Sequence, residues 1–299
     1  IPFSLQGEFT FNRWDYYKSL TTFFEDVKPS FIVQNERTAG ISANLAAGNK
    51  GLLRFEGLYS YWFDEYYQTQ EFLSTDTADH TEFRSFIARA TWERNTLNRK
   101  QYPSKGTYLS VSAKLVNGEE WTIPGSTSLL RDTTKAFHNW YGLRLKYINY
   151  FSHWKKFSAG MHLEAVAFDQ SVFSNYISSV IAAPAFRPIP ESYTYFMPRF
   201  RAHTYVACGL ISNLSLARNF DFRMEGYAFN AFGRINPNSF TQAELNYTIV
   251  PAYIASTSFI YHSPLGPVSL SANYYEYQVE PWSFLFNFGY ILFNSSSRD

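Results

Sequence analysis

The chain has 299 residues and a nearly balanced charge, with 26 Lys and Arg against 25 Asp and Glu, so no bulk charge favours nucleic acid. Charged residues make up only 17% of the sequence, whereas aromatic residues reach 20%, more than one ordinary soluble core requires. This apolar content excludes an intrinsically disordered chain. A helical membrane protein is also excluded, because the sequence contains no run of about 20 apolar residues.

Alternation of apolar and polar residues is the dominant pattern, and it is typical of β-strands whose two faces differ. In the last such segment, Trp282, Phe284 and Phe286 share one face, and Ser283 and Asn287 share the other. Most of these segments are longer than the five or six residues usual in globular sheets. Twelve of them follow one another, beginning near Phe3, Thr38, Leu53, Glu82, Thr107, Phe137, Phe157, Thr204, Phe220, Ala252, Val268 and Trp282.

The connections between these segments alternate between short turns and long loops. Short turns fall near residues 48–51, 152–155, 217–219 and 263–266, and the longest loop runs from Asp169 to Phe200. Such alternation is typical of outer-membrane barrels, which have periplasmic turns and extracellular loops. The connection 95–105 is the one long connection on the periplasmic side. The pattern predicts one all-β domain over residues 1–299, a transmembrane antiparallel up-and-down β-barrel in a Gram-negative outer membrane.

A soluble β-sandwich or lipocalin-like barrel also alternates, but it turns its apolar face inward and carries dense charge outside. Here the polar face is rich in Ser, Gly and Asn, so we expect the apolar face to contact outer-membrane lipid, either lipopolysaccharide or phospholipid. The predicted lipid face includes Leu143, Leu145, Met161, Leu163, Phe284, Phe286 and Phe288. Aromatic residues near strand ends are expected to form the interfacial girdles: Trp14, Tyr16, Trp62, Trp140, Trp154 and Trp282.

Charges of both signs lie on the predicted inner face. They either pair across neighbouring strands and fill the lumen, or line a wide diffusion pore, and the balanced signs favour pairing. The predicted lumenal network comprises Arg144, Lys146, His162, Glu164, Asp221, Arg223 and Glu225.

The sequence contains no recognisable catalytic motif. A Gly-x-Ser-x-Gly elbow, a His-Glu-x-x-His helix, a phosphate-binding glycine loop and a cysteine pair are all missing, and the six histidines lack metal-ligand spacing. No metal or cofactor is therefore expected. A Ser/His/Asn triad at the barrel rim stays open as an alternative, although no serine stands out as its nucleophile.

Three segments resemble BamA-type barrels, the superfamily of outer-membrane assembly and two-partner secretion proteins. The stretch Glu93–Ser112 resembles that superfamily's "x-Pro-Thr-x-Gly" turn and strand, and His262–Ser271 resembles its "Pro-hydrophobic-Gly-Pro" turn. The ending Phe286–Phe293 is similar to its closing strand, although a tail, Asn294–Asp299, follows. The residues that carry these motifs are Pro103, Gly106, Pro264, Gly266, Pro267, Gly289 and Phe293.

The loop Asp169–Phe200 departs from the superfamily, which places a lumen-inserted loop with an Arg-Gly-Phe/Tyr tip here. The nearest text is Pro198-Arg-Phe-Arg-Ala202, so Arg199 or Arg201 is expected to anchor the loop. The loop also carries an apolar run, residues 177–186, that solvent exposure would not favour. We therefore expect it to cover or enter the barrel mouth, with one arginine pairing a lumenal carboxylate. An extracellular loop packed on its neighbours is the alternative.

Other segments look more like the C-terminal barrel of Bacteroidetes patatin-like outer-membrane proteins, which are similar to type Vd autotransporters. They are Arg13-Trp14-Asp15-Tyr16-Tyr17, residues 24–29, residues 64–68 and residues 76–79. This resemblance implies a sixteen-stranded barrel that lacks four strands before Ile1, and a parent protein with a POTRA-type module and a patatin-like lipid acyl hydrolase domain.

The resemblance implies that this barrel is the anchoring and translocating part of that parent and is not itself catalytic. A BamA-like assembly or transport barrel is the alternative, and an adhesin acting through its long loops is a third possibility. The outer-membrane assembly machinery is an expected partner during biogenesis, and the sequence does not indicate an oligomeric state.

Overall fold

The computed structural model describes residues 2–16, 30–69, 72–73, 75–238, 242–278 and 280–298. The patatin-like motif at residues 24–29 lies outside these residues. The described residues form fourteen strands: β1 (Phe3–Tyr16), β2 (Ile32–Ala46), β3 (Gly51–Tyr66), β4 (Asp79–Asn95), β5 (Thr107–Ile123), β6 (Thr134–Trp154), β7 (Phe157–Phe168), β8 (Thr204–Ala217), β9 (Phe220–Ala231), β10 (Arg234–Pro237), β11 (Ala243–Asn246), β12 (Ala252–Ser263), β13 (Gly266–Tyr275) and β14 (Trp282–Phe288). An α-helix, α1 (Tyr176–Ala182), lies between β7 and β8.

Twelve strands form a single antiparallel sheet in the order β1 to β9, then β12, β13 and β14. Each strand pairs with its neighbours in the chain, so the predicted all-β, up-and-down meander is confirmed. The remaining two, β10 and β11, form a small separate hairpin that the alternation pattern did not predict. Within the described residues, β1 pairs with β2 alone and β14 with β13 alone.

The strands of the large sheet are long enough to cross a bilayer. β4 and β5 each have 17 residues and β6 has 21, against the roughly 9–11 that a tilted strand needs. β14 is the exception with 7 residues, because the chain leaves the sheet after Phe288. The predicted closing strand through Phe293 is therefore too long by five residues.

The two faces of the sheet differ as the alternation predicts. Phe284, Phe286 and Phe288 project outward with at least 65% of their surface exposed, as do Leu143 and Leu145 to a smaller extent. Arg144, Glu164 and the other charged residues of the predicted network project to the opposite, inner side. An exposed band of this apolar character is the surface that lipid covers in a transmembrane barrel.

Four of the aromatic residues assigned to the interfacial girdles lie on the inner side instead. Tyr16, Trp62 and Trp140 are almost fully buried there, and Trp14 is half-buried with its ring 5.5 Å from that of Phe293, whereas Trp154 and Trp282 are exposed. Trp62 and Trp140 both contact the ring of Phe83, with centroid distances of 4.8 and 5.4 Å. The inner face therefore carries an aromatic core in its extracellular half.

The outward orientation of β14 yields a direct test by substitution. Phe286→Arg places a cation on the apolar band and should lower the free energy of unfolding by about 2–4 kcal/mol if the site lies near the bilayer midplane. Urea unfolding in lipid vesicles, followed by tryptophan fluorescence, measures this change. Asn139→Arg, at an exposed position near the extracellular end of β6, serves as the control and should cost less than about 1 kcal/mol. Equal losses for the two variants would contradict the assignment.

Candidate functional site: the occupied lumen

The long connection between β7 and β8, residues 169–203, folds onto the inner face of the sheet and is here called the plug loop. Residues 177–182 of α1 are all buried, which confirms the prediction that the apolar run folds back. Asn175 begins the helix, since its side-chain oxygen accepts a hydrogen bond from the Ser178 N–H at 2.9 Å. Two short 3₁₀ turns, Pro190–Tyr193 and Pro198–Phe200, complete the loop.

Aromatic packing fixes the plug loop to the wall formed by β8 and β9. Phe186 and Phe200 from the loop are fully buried, and their rings lie 5.9 and 5.6 Å from the ring of Phe229. Tyr205 packs against the same ring at 4.9 Å. Burial of side chains of this size contributes about 1.5–3 kcal/mol each, so the loop is a well-packed part of the core.

The two arginines expected to anchor the loop make contacts within the loop and on Tyr277, and the charge of Arg201 also acts on the Asp64 carboxylate of β3. Arg201 is buried, and its Nη1 donates to the carbonyl oxygens of Ile181 and Ala183, at 3.0 and 3.3 Å, at the end of α1. The guanidinium of Arg199 stacks on the ring of Tyr277 at 4.3 Å. Arg201 thus supplies donors for carbonyls that a helix end leaves unpaired, which is a local stabilising role.

One polar contact between the loop and the wall is made by a carboxylate of the loop and not by an arginine. Glu191, on the loop, accepts hydrogen bonds from the wall residues Ser271 at 3.2 Å and Asn287 at 3.1 Å. Burial raises the pKa of the Glu191 carboxyl above its ordinary value. The carboxylates predicted to receive an arginine from the loop are instead paired with cations of the wall and of a periplasmic turn.

The predicted lumenal network comprises two separate clusters. In the first, the carboxylate of Glu164 accepts from Arg144 and from the Tyr205 hydroxyl, at 2.8 and 2.7 Å, with Lys146 at 3.9 Å and His162 at 3.5 Å. These side chains come from β6, β7 and β8 and link the strands across the inner face. Each charge has an opposite partner close by. The arrangement therefore favours the interpretation that the charges pair across strands, and not that they line an open diffusion pore.

The second cluster lies nearer the periplasmic end, on β9. Arg223 pairs with Glu225, and Asp221 pairs with Arg99 at 3.0 Å and with His262 at 2.9 Å. Arg99 belongs to the long connection 96–106, which the sequence pattern noted as an exception in length. This connection therefore folds inward beneath the lumen and is tied to the wall by charge.

The family-motif residues Pro103 and Gly106 lie in that connection. The carbonyl oxygen of Pro103 accepts from Arg223 at 2.6 Å. Gly106 has a φ of +96°, and a Cβ there would lie 2.2 Å from the Thr96 carbonyl oxygen. Any side chain at residue 106 would collide with the main chain of this turn. This collision explains why the motif has glycine at that position.

The other family-motif residues determine how the chain leaves the sheet. Pro264 lies in the turn between β12 and β13, Gly266 and Pro267 begin β13, and the Pro267 carbonyl accepts from the Gly289 N–H at 2.9 Å. Gly289, with a φ of +93°, redirects the chain away from β14. Phe293 then packs against Tyr193 of the plug loop at 4.5 Å, and not on a closing strand as predicted.

Residues 290–298, here called the tail segment, run through the lumen. Ile291 contacts Gln101 near the periplasmic end, and Arg298 reaches Asp64 near the extracellular end of β3. Ser297 and Arg298 are buried. A cavity of about 690 Å³ lies beside the segment, between the wall and the plug loop. The sequence predicts this tail only as an extension after the last strand, because a run of three serines carries no periodic signal.

A histidine on the inner face of β6 joins a serine and a glutamate at the extracellular mouth. His138 Nε2 lies 2.7 Å from Glu120 Oε2, and His138 Nδ1 lies 2.8 Å from the hydroxyl of Ser171. Glu120 also accepts from the Thr122 hydroxyl and the Ser174 N–H, at 2.8 and 2.9 Å. Ser171 is exposed while its two partners are buried. This geometry ties the plug loop to β5 and β6, and it also orients a base toward a serine.

Among the described residues, no helix is both long and apolar enough to span a membrane. The same residues contain no cluster of three or more histidine, cysteine, aspartate or glutamate side chains suited to a metal ion.

A buried histidine just before β8 gives the fold a predictable pH dependence. Burial lowers the pKa of His203 to about 4, and neither ring nitrogen has a hydrogen-bond partner among the described residues. The unfolded chain therefore binds more protons than the folded one below pH 6.5, so stability falls as the pH is lowered. The expected loss between pH 7 and pH 5 is about 2 kcal/mol. His203→Phe should remove that part of the pH dependence in urea unfolding, whereas His153→Phe, at an exposed position, should leave it unchanged.

Comparison with protein-family models and with curated protein sequences gives no match. Among solved structures, the chain is similar to BamA from Haemophilus ducreyi lacking POTRA domains 1–3, with a TM-score of 0.54, 13% identity and coverage of 95% of this chain. The chain spans 57% of that BamA chain. It also aligns with the β domain of the Bordetella autotransporter Brka over 94% of both chains, at a TM-score of 0.39 and 10% identity.

The likeness to the BamA barrel supports the fold at the level of an all-β, antiparallel up-and-down sheet of the outer-membrane barrel kind. Together with the exposed apolar band on the outer face, it confirms the predicted location in a Gram-negative outer membrane.

Proposed function

We propose that this chain is the membrane-anchoring and translocating barrel of a patatin-like outer-membrane protein of the type Vd autotransporter kind. The observation that carries the proposal is the lumen itself, which has polar walls but is filled by segments that are not part of the wall. A purely structural barrel could fill its interior with wall side chains, as small barrels do. A loop and a tail in the lumen are contents whose removal would leave the strand pairing of the wall in place.

The proposal includes a barrel of sixteen strands, four of them before Ile1. Support comes from the edges of the sheet, because within the part of the chain that the structure describes β1 and β14 each pair with one strand. Main-chain groups left without partners at these edges would be costly in a hydrocarbon environment. Further strands between these two edges would satisfy those groups. Outer-membrane lipid then surrounds the whole barrel, and the outer-membrane assembly machinery inserts it.

The experiment that tests the function uses the full-length parent protein with an epitope placed upstream of residue 1. Translocation predicts that the epitope becomes accessible to protease on intact cells, while the barrel shows the heat-modifiable gel mobility of a folded outer-membrane protein. An epitope that stays protected although the barrel is folded would reject translocation. A series of POTRA repeats upstream, together with loss of other outer-membrane proteins on depletion, would support the assembly function instead.

A second candidate function is ester hydrolysis at the extracellular mouth, and the Ser171–His138–Glu120 geometry favours it. With the proton on Nε2 facing Glu120, the Nδ1 atom of His138 can accept the Ser171 hydroxyl proton. The Ser171 oxygen would add to an ester carbonyl, the alcohol would leave with the proton from His138, and water would hydrolyse the acyl-serine. This activity would contradict the expectation that the barrel is not itself catalytic.

Labelling with a fluorophosphonate probe decides between an active serine and a structural one. Hydrolysis predicts covalent labelling of the folded barrel that disappears in Ser171→Ala and falls strongly in His138→Gln. Ser174→Ala, which leaves the Ser174 N–H bond to Glu120 in place, is the matched control and should label normally. No labelling of the unaltered chain would assign Ser171 a purely structural role.

A further inference from the structure

The tail segment is held in the lumen by main-chain as well as side-chain contacts. The Ser297 N–H donates to the carboxylate of Glu36, and the carbonyl oxygen of Arg298 accepts from Lys114 Nζ at 2.8 Å. Lys114 also lies 3.3 Å from the Ser297 carbonyl oxygen. Contacts to the peptide backbone do not depend on the identity of the side chain, so this part of the wall can hold any extended peptide.

The side chains of the tail add specificity to these contacts. The Arg298 guanidinium makes a two-pronged bond with the Asp64 carboxylate, at 2.8 and 2.7 Å, and stacks on the Trp62 ring at 4.4 Å. The Ser297 hydroxyl lies 2.7 Å from the Ser60 hydroxyl and accepts from Trp62 Nε1 at 2.8 Å. A planar cation between a carboxylate and an indole, preceded by a small polar residue, is a chemically distinctive combination.

The charges of the wall also indicate what belongs there. Glu36 and Asp64 are both buried on the inner face, and Lys114 and Arg201 are buried cations beside them. Without the tail, the Asp64 carboxylate would lose its two-pronged partner Arg298, and the Glu36 carboxylate would lose the Ser297 N–H. Buried carboxylates without such partners are costly, so a peptide that brings a cation to this place restores the compensation.

We propose that the inner wall of β2, β3 and β5 forms a binding groove for an extended peptide with small polar residues followed by arginine. The tail segment occupies this groove in cis and acts as a displaceable plug. Displacement by another chain that enters the lumen rests on the proposed translocation function, whereas the groove and its ligand chemistry do not. A competing peptide replaces each contact of the tail with one of the same kind, so exchange requires no change in the wall.

Disulfide capture tests the position of the tail in solution. In a Cys208→Ser background, which removes the single native cysteine, Ser60→Cys is combined with Ser297→Cys. The two serine hydroxyls are in hydrogen-bond contact, so the pair should oxidise almost completely, and mass spectrometry identifies the linked peptides. Ser60→Cys with Ser295→Cys is the matched control and should remain largely reduced. Equal oxidation of the two pairs, or none in either, would overturn the proposal.

Peptide binding tests the chemistry of the groove in trans. Arg298→Glu places a second carboxylate beside Asp64 and should expel the tail, so a fluorescein-labelled Ser-Ser-Ser-Arg peptide should bind this variant at least tenfold more tightly than the unaltered chain. Adding Asp64→Asn should weaken that binding at least tenfold, and a Ser-Ser-Ser-Glu peptide should not bind. The proposal would be overturned if the peptide did not bind the variant, or if Asp64→Asn left its affinity unchanged.

Heat-modifiable gel mobility reports whether each variant is folded. If the charge reversal in Arg298→Glu prevents folding, Arg298→Gln replaces it. The double exchange Asp64→Arg with Arg298→Asp should restore occupancy of the groove and abolish peptide binding again. Since all of these measurements use the purified barrel in detergent, a failure of translocation in cells does not affect them, and their failure leaves translocation open.

Discussion

Deleting Ser174–Pro190 from the plug loop should open the barrel to ions and lower its thermal stability. The deletion removes α1, whose residues 177–182 are all buried, together with the Phe186 ring that packs on Phe229. Each buried apolar side chain of this kind contributes about 1.5–3 kcal/mol, so the loss of stability should be larger than for a typical loop deletion. Conductance in planar bilayers and a thermal melt followed by gel mobility measure the two effects.

A deletion in another extracellular connection serves as the control. Residues 131–133, between β5 and β6, are exposed, so their removal should change neither conductance nor the melting temperature appreciably. If deletion of 174–190 leaves both quantities unchanged, the plug loop does not close the barrel. Increased conductance without loss of stability would show that the loop closes the lumen but contributes little to the core.

Trp62→Ala should be among the most destabilising single substitutions in the chain, by about 3–5 kcal/mol. Trp62 has 2% of its surface exposed, its ring contacts Phe83, and its indole N–H donates to Ser297. The substitution therefore creates a cavity between β3, β4 and the tail segment. Urea unfolding followed at equilibrium provides the measurement.

Two further tryptophan variants separate the contributions. Trp62→Phe keeps most of the ring but loses the hydrogen bond to Ser297, which should cost about 1 kcal/mol beyond the change in packing. Trp154→Ala, at an exposed position at the end of β6, should have a much smaller effect than Trp62→Ala. Similar losses for Trp62→Ala and Trp154→Ala would mean that Trp62 faces lipid, as the sequence pattern alone suggested.

The strand order and the lipid-facing side could be predicted from the sequence because both depend on local alternation. A period of two residues assigns Phe286 and Leu143 to one face and Arg144 to the other without knowledge of any distant contact. The bounds were less accurate where the alternation fades. β2 begins at Ile32, ahead of the predicted start near Thr38, and β14 ends at Phe288 because Gly289 turns the chain inward.

The contents of the lumen could be predicted only in part, because they depend on contacts between residues far apart in the chain. The apolar run of residues 177–186 correctly predicted that the loop folds back. Trp62 and Trp140 were wrongly assigned to the girdles, because a tryptophan near a strand end fits both an interfacial girdle and an inner aromatic core. The partner of Arg201 could not be predicted from the loop sequence either, because helix carbonyls and wall carboxylates are both acceptors. Ser171 could not be distinguished from the many other serines in the sequence, because its contact with His138 is formed only in the fold.

The long reach of the tail segment has a consequence for the order in which the barrel folds. Its partners Glu36, Ser60 and Asp64 precede it by more than 230 residues, so these contacts close some of the longest chain loops in the molecule. Closing loops of that length is entropically unfavourable until the intervening strands are in place. The tail should therefore dock last, after the sheet has formed, and its docking would be the event that distinguishes a finished barrel from an incomplete one.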